Sequence, residues 1–299
     1  MAAACCTPDR DGSAQPTSTW HAGRPRPALV PDSALIPVRG GMFLMGSQDH
    51  LAYPLDLEGP VREVHVADFS ISAATVTVAE WAEFVGSGNY VTDAERYGDS
   101  LVFAGSLPAS DASPVVPATP WWRVVAGATW RRPAGPDSAV DAVRDLSDHP
   151  VTHVSRRDAK AYCRWRSVAL PSEEQWEYAS RGGLVQKPFP WGETEDLDRM
   201  NTWRGEFPGA RSDAVLTSPA RSYAPNAFGL YNCTGNVWEW TTGTFDASRR
   251  DFRAVTRGGS HLCHESYCRR YRNSARSGAS EDTSSSHTGF RVCSRPDLP

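Results

Sequence analysis

The chain has 299 residues and carries 31 basic against 35 acidic side chains, a net charge of −4 with no basic run, which argues against nucleic acid as its main partner. Its apolar fraction is 40%, and no apolar run approaches the ~18 residues that span a bilayer, so no membrane partner is expected. With 24 glycines and 23 prolines it is rich in turn formers, which excludes a helical bundle, a collagen and a coiled coil.

The first residues, MAAACCTPDRDGSAQP, lack the basic and apolar regions of a secretory signal, so a cytoplasmic protein is expected. Residues 1–33 read as a disordered tail of small and polar residues, and 34–299 as one domain. There are seven cysteines: Cys5, Cys6, Cys163, Cys233, Cys263, Cys268 and Cys293. Their odd number and uneven spacing in a reducing compartment argue against a disulfide framework.

In chain order, LIPVRGGMFLMGS predicts a hairpin turning at Gly40-Gly41. Val61–Ser72 alternates like a strand. Three helix starts follow: Thr77 with Glu80, Ser155 with Asp158, and Ser172 with Gln175 all have the capping-box spacing. Trp81, Phe84 and Val85 form the buried stripe of the first helix, and Ala159, Tyr162 and Cys163 that of the second. Gly182-Gly183 ends the third. Residues 98–150, with Trp121, Trp122 and Trp130, show no helical periodicity.

The densest chemistry lies in RGGSHLCHESYCRRYRNSAR, Arg257 to Arg276. Three readings stand side by side. Cys263 and Cys268 could be free thiols filling space. They could join His261 and His264 around zinc, although adjacent side chains on an extended chain point apart and make a tetrahedron hard to close. Or they could be a two-thiolate site for Cu(I), with Arg257, Arg269 and Arg270 lowering the thiol pKa values. In GLYNCTGNVWEW, Asn232, Asn236 and Glu239 offer oxygen ligands beside the turn at Gly235, although an Asn/Gly turn entering a Trp-rich strand explains the same residues. His149 and His153 flank Pro150 in extended chain, which suits a structural role.

Taken in order, many segments resemble the formylglycine-generating enzymes, the sulfatase-modifying factor family. They include GGMFLMGS, YVTDAERYGDSLVF, PWWRVVAGATWRRPAGPDS, LPSEEQWEYASRGG, GLYNCTGNVWEW, the cysteine segment and HTGFR, and cover about residues 35–295. The resemblance implies a single compact α+β domain of low regular secondary structure, similar to C-type-lectin-like folds. It implies oxidation by O2 of the cysteine of a C-x-P-x-R motif in an unfolded sulfatase, giving Cα-formylglycine, with an external thiol reductant and a monomeric enzyme. It places Cu(I) between Cys263 and Cys268, with Ser260 and Trp238 lining the pocket and His264 and Tyr267 flanking it. It also implies two structural Ca2+ sites, one from Asn201, Thr202, Asp213 and Val215, the other from Asn232, Gly235, Val237 and Glu239. The chain departs from the family pattern in a shortened RGEFPGARSDAVLTSPA, in His261 where a tyrosine is usual, and in GFRVCS, which leaves Cys293 without a role. The competing expectations are a copper-free disulfide exchange through Cys268, an iron-dependent sulfoxide synthase relative, and a non-catalytic C-type-lectin-like binding module.

Overall fold

The computed structural model describes residues 8–9, 35–209 and 216–295. The expected tail, with Cys5 and Cys6, falls almost wholly outside the described residues. So do Asp213 and Val215 of the first expected calcium site.

The regular elements are short and widely spaced. Strands β1 (Leu35–Val38), β2 (Gly41–Met45), β3 (Arg62–Val66) and β4 (Phe69–Ser72) open the domain. Helices α1 (Val78–Gly88) and α2 (Asp93–Tyr97) follow, then β5 (Asp99–Phe103), β6 (Trp122–Ala126) and a single turn, α3 (Ala142–Asp145). Next come α4 (Arg156–Arg166) and α5 (Glu173–Arg181). The chain closes with β7 (Trp238–Asp246), β8 (Asp251–Arg257), β9 (Arg276–Ala279) and β10 (Thr288–Gly289). The last four form one sheet in the order β10-β7-β8-β9, in which β10 runs parallel to β7 and the other pairs are antiparallel. The remaining strands make three two-stranded antiparallel sheets.

All three expected helix starts are capping boxes, and Gly182 ends α5 in the left-handed conformation. A fourth box, Thr92 with Glu95, starts α2, which the sequence reading did not mark. The hairpin expected at Gly40-Gly41 does not form. β1 pairs with β4, and β2 pairs with β3. The glycine at position 40 serves a close approach instead, since a Cβ there would lie 2.1 Å from the Val66 carbonyl oxygen. The strand expected over Val61–Ser72 is likewise two strands in two sheets. The 98–150 stretch holds an antiparallel pair, β5 with β6, whose register sets Phe103 against Trp122.

The largest core packs α1 and α4 against the sheet. Trp81 stacks on Tyr162 at 5.8 Å between ring centroids, and Phe84, Tyr90, Trp165 and Phe290 close around them. Elsewhere, buried arginines hold the irregular chain. Arg257 pairs with Glu177, Arg272 with Glu58, Arg276 with Glu173 and Arg291 with Glu239. Each guanidinium fork meets a carboxylate and so satisfies a charge that burial would otherwise penalise heavily. Arg270 with Asp56, two residues from the Arg272–Glu58 pair, lashes the 56–58 loop to the segment following the cysteines.

Candidate active site

The segment from β8 to β9 leaves the sheet at Gly258-Gly259 and returns at Arg276. A Cβ on Gly259 would sit 2.9 Å from the backbone of Arg270 and Tyr271, so only glycine lets the outgoing chain press on the returning one. Arg257, Arg270, Arg272 and Arg276 pin the segment near both ends through the ion pairs above. Between these anchors the backbone makes two turns. The Cys263 amide donates to the Ser260 carbonyl at 2.9 Å, and the Cys268 amide to the His264 carbonyl at 2.7 Å. The second is a single helical turn, which brings residues five apart in sequence face to face. The two sulfurs lie 3.4 Å apart. That is well beyond a disulfide bond of ~2.05 Å, and close enough for both to bind one ion.

The sulfurs sit among Phe189, Met200, Trp238 and Tyr271, with the half-buried Trp191 and Tyr267 at the edge. Cys263 is 2% exposed and Cys268 fully buried. The turn between the two cysteines is partly exposed, with His264 and Tyr267 half-buried and Glu265 and Ser266 exposed. The Tyr267 ring stacks on Phe207 at 4.4 Å and meets the edge of Trp121 at 5.0 Å. His264 bonds Ser266 through Nδ1 at 2.8 Å and is directed along its own turn. The Ser260 amide reaches toward the Cys263 sulfur at 3.4 Å and the Arg270 guanidinium toward the Cys268 sulfur at 3.6 Å. Of the three arginines expected to act on the thiols, Arg270 has this contact. Arg257 is committed to Glu177 and Glu173, and Arg269 to Glu265 and Glu195. Among the described residues, the buried Trp238 indole N–H has no hydrogen-bond partner.

The expected zinc set does not converge. His261 directs Nδ1 to the Asn236 carbonyl at 2.7 Å, and His264 faces Ser266. Among the described residues, no three His, Cys, Asp or Glu side chains gather to hold a metal. The soft donors here are the sulfur pair, whose chemistry suits a monovalent soft ion.

The oxygen-ligand clusters look different. Glu239 accepts from both sides of the Arg291 fork, at 2.6 and 2.7 Å, and from the Trp176 indole at 2.7 Å. Although burial opposes its charge, the Arg291 guanidinium has its pKa raised by Glu239 beside it. A calcium ion at Glu239 would have to share this carboxylate with Arg291. Asn232 donates Nδ2 to the Pro219 and Ala220 carbonyls, and Val237 lies buried at the start of the sheet. Asn201 donates Nδ2 to the Leu216 carbonyl and to Asn236, and Thr202 is buried beside it. Asn236 is a bridge between segments: its amide spans Asn201 and Ser218, and its carbonyl receives His261. A Cβ on Gly235 would lie 2.3 Å from the Asn201 carbonyl oxygen.

His149 bonds Thr217, and the buried His153 bonds Ser100 through Nδ1 at 2.8 Å. Burial pushes His153 down to about 3, so it stays neutral. One site residue escaped sequence reasoning. His287, in the HTGFR segment, places Nδ1 3.1 Å from the Ser260 hydroxyl. Its only sequence signal is its neighbourhood to Gly289 and Phe290, which is too weak to find it.

Comparison with known proteins identifies relatives along most of the chain. A family model described as "Sulfatase-modifying factor enzyme 1-like domain" matches residues 22–296. The chain is 44% identical over 288 residues to the formylglycine-generating enzyme of Thermomonospora curvata, covering 88% of this chain and 93% of that one. It is also 40% identical over 290 residues to a mouse (Mus musculus) protein named inactive Cα-formylglycine-generating enzyme 2, covering 94% and 92%. Among solved structures, PvdO from Pseudomonas aeruginosa superposes with a TM-score of 0.61 at 23% identity, over 87% of this chain and 93% of that one, a likeness of fold. With its α+β architecture and most of its length aligned, the chain belongs to the sulfatase-modifying factor family, that of the formylglycine-generating enzymes.

Proposed function

We propose that this chain oxidises a cysteine of a sulfatase polypeptide to Cα-formylglycine, and that Cys263 and Cys268 hold the reacting thiol. The observation that supports this most is the 3.4 Å sulfur pair in an aromatic pocket, in a chain of this family. The inactive mouse relative means that membership alone does not carry the activity.

The proposed substrate is an unfolded segment bearing C-x-P-x-R, the oxidant is O2, and an external thiol supplies two further electrons. The substrate's methylene thiol, one O2 and two reductant thiols give the aldehyde, one hydrogen sulfide, one disulfide and one water. Thiols alone react slowly with O2. Cu(I) bound by the two sulfurs would supply the one-electron chemistry that activates it.

The chain's own side chains do the rest. The Ser260 amide and the Arg270 guanidinium stabilise negative charge on the sulfurs. Trp238, Phe189 and Tyr271 exclude water, which strengthens each of these interactions. The unpartnered Trp238 N–H offers a donor to an incoming group. Tyr267 and His264, on the partly exposed turn between the two cysteines, would flank an incoming substrate thiol. Structural Ca2+ belongs to the proposal at the Asn201–Thr202 and Asn232–Gly235–Val237 loops, and chelation lowering the melting temperature is its test. The enzyme is taken as a cytoplasmic monomer.

Aerobic incubation with a C-x-P-x-R peptide, Cu(I) and a thiol reductant tests the proposal, with peptide mass as the readout. Conversion by the wild-type chain, lost in both Cys263→Ser and Cys268→Ser, is expected. Full conversion by either variant contradicts the assignment. No conversion by the wild type, with tight peptide binding retained, favours a non-catalytic module. The sulfoxide-synthase alternative draws no support from His149 and His153, which bond separate partners.

A further inference from the structure

Ser260 is fully buried and its backbone is wholly engaged with the first cysteine. Its amide donates to the Cys263 sulfur and its carbonyl accepts from the Cys263 amide. Its hydroxyl oxygen accepts from the Leu262 amide at 3.2 Å. The hydroxyl's remaining contact is what decides its direction, and the structure places His287 Nδ1 there, at 3.1 Å.

His287 comes from a segment 27 residues further on and is itself tightly held. Its carbonyl accepts from the Trp238 amide at 2.8 Å, where β10 joins β7. Its ring lies against the edge of Trp122, 4.6 Å between centroids, and 6.4 Å from the His261 ring. Burial first, then the nearby His261 and His153, hold it neutral, although Cys268 pulls the other way. A neutral imidazole has one N–H and one lone pair, so its tautomer fixes whether the Ser260 hydroxyl proton is spent on the ring or left for another acceptor.

We infer that His287 is a positioning residue, fixing the Ser260 hydroxyl beside Cys263 while its backbone fixes Trp238. The inference rests on the function proposed above. A hydroxyl that turns freely in a buried pocket would present a proton or a lone pair at random. A ring packed against Trp122, on a backbone held by the Trp238 amide, removes that freedom, and because one residue contacts both Ser260 and Trp238, both walls of the sulfur pocket keep one spacing.

Two measurements test it. In copper-free protein, the His287 Nδ1 resonance should shift on Ser260→Ala and stay in place on Ser266→Ala. An unchanged resonance in Ser260→Ala overturns the inference, whatever the enzyme does. In peptide oxidation, His287→Leu should lower kcat by about 10- to 100-fold, the usual cost of losing an outer-sphere partner, with KM little changed. His287→Asn, which keeps a hydrogen-bonding group near the Nδ1 position, should recover most of the loss. The Ser260→Ala/His287→Leu double variant should be no worse than Ser260→Ala, because a residue acting through Ser260 has nothing further to lose. Multiplying losses would mean an independent role and contradict it. If the wild-type chain oxidises no peptide, the functional proposal fails, and the resonance measurement still decides the contact.

Discussion

Replacing Arg291 by methionine tests the claim that buried ion pairs hold this fold. Arg291 is fully buried. It donates Nε and Nη2 to the two oxygens of Glu239, Nη2 to the Tyr231 carbonyl, and Nη1 toward the Ser72 and Ala73 carbonyls. It thus ties β4, the loop before the sheet and β7 together. Methionine keeps much of the stem but none of the donors. Glu239 would keep the Trp176 indole as its remaining described donor, as a buried and nearly uncompensated carboxylate. Breaking one side of a buried pair costs about 3–5 kcal/mol, a large part of the roughly 5–15 kcal/mol that a domain has in all. At about 2–4 °C per kcal/mol for a domain of this size class, the melting temperature should fall by ~6–20 °C. Removing both charges in Glu239→Leu/Arg291→Met should regain most of it, since an apolar pair of similar volume carries no desolvation penalty. Urea and thermal unfolding followed by circular dichroism measure both variants. A single variant that loses under ~1 kcal/mol, or a double variant less stable than the single, would refute the reasoning.

Two further predictions concern groups outside the sulfur pocket. Burial, and the negative charge of Asp93 beside it, push the Asp158 carboxyl up to about 7. The unfolded chain releases that proton near ~3.9, so this group's contribution to stability is full below about pH 4 and declines as pH rises to about 7. Urea midpoints across that range should carry this decline, and Asp158→Asn should flatten it. An unchanged slope in the variant contradicts the assignment. Burial raises the thiols of Cys163, Cys233 and Cys293, to about 11 for Cys233 and about 12 for Cys293. Native protein treated with iodoacetamide should leave all three unmodified and label them only in denaturant; rapid labelling in the native state would show the core to be open.

Local signals in the sequence were legible wherever one short segment carries its own instruction. The capping pairs at Thr77, Ser155 and Ser172 needed only a side chain three residues away, and all three helices begin there. Cys263 and Cys268 stood out by chemistry, and one helical turn suffices to join them. What stayed hidden depends on distant partners. Gly40 looked like a turn because its real constraint, the Val66 carbonyl, is 26 residues away. Arg257, Arg269 and Arg270 read as a field around the thiols, whereas carboxylates far back in the chain claim most of that charge. The matching spacing of Asp56 and Glu58 with Arg270 and Arg272 was present in the sequence, but no rule pairs residues 214 positions apart. Glu239 offered an oxygen ligand by type, and its commitment to Arg291 emerges only once the sheet is assembled.

Anaerobic titration with Cu(I) against a competing chelator tests the central claim most directly, because it asks the two sulfurs alone what they do. The wild-type chain should take up one equivalent tightly. Cys263→Ser and Cys268→Ser should each weaken that uptake by orders of magnitude, and Cys163→Ser should leave it unchanged. Tight uptake retained when both sulfurs are replaced, or no uptake by the wild type, would contradict the claim that Cys263 and Cys268 form the site.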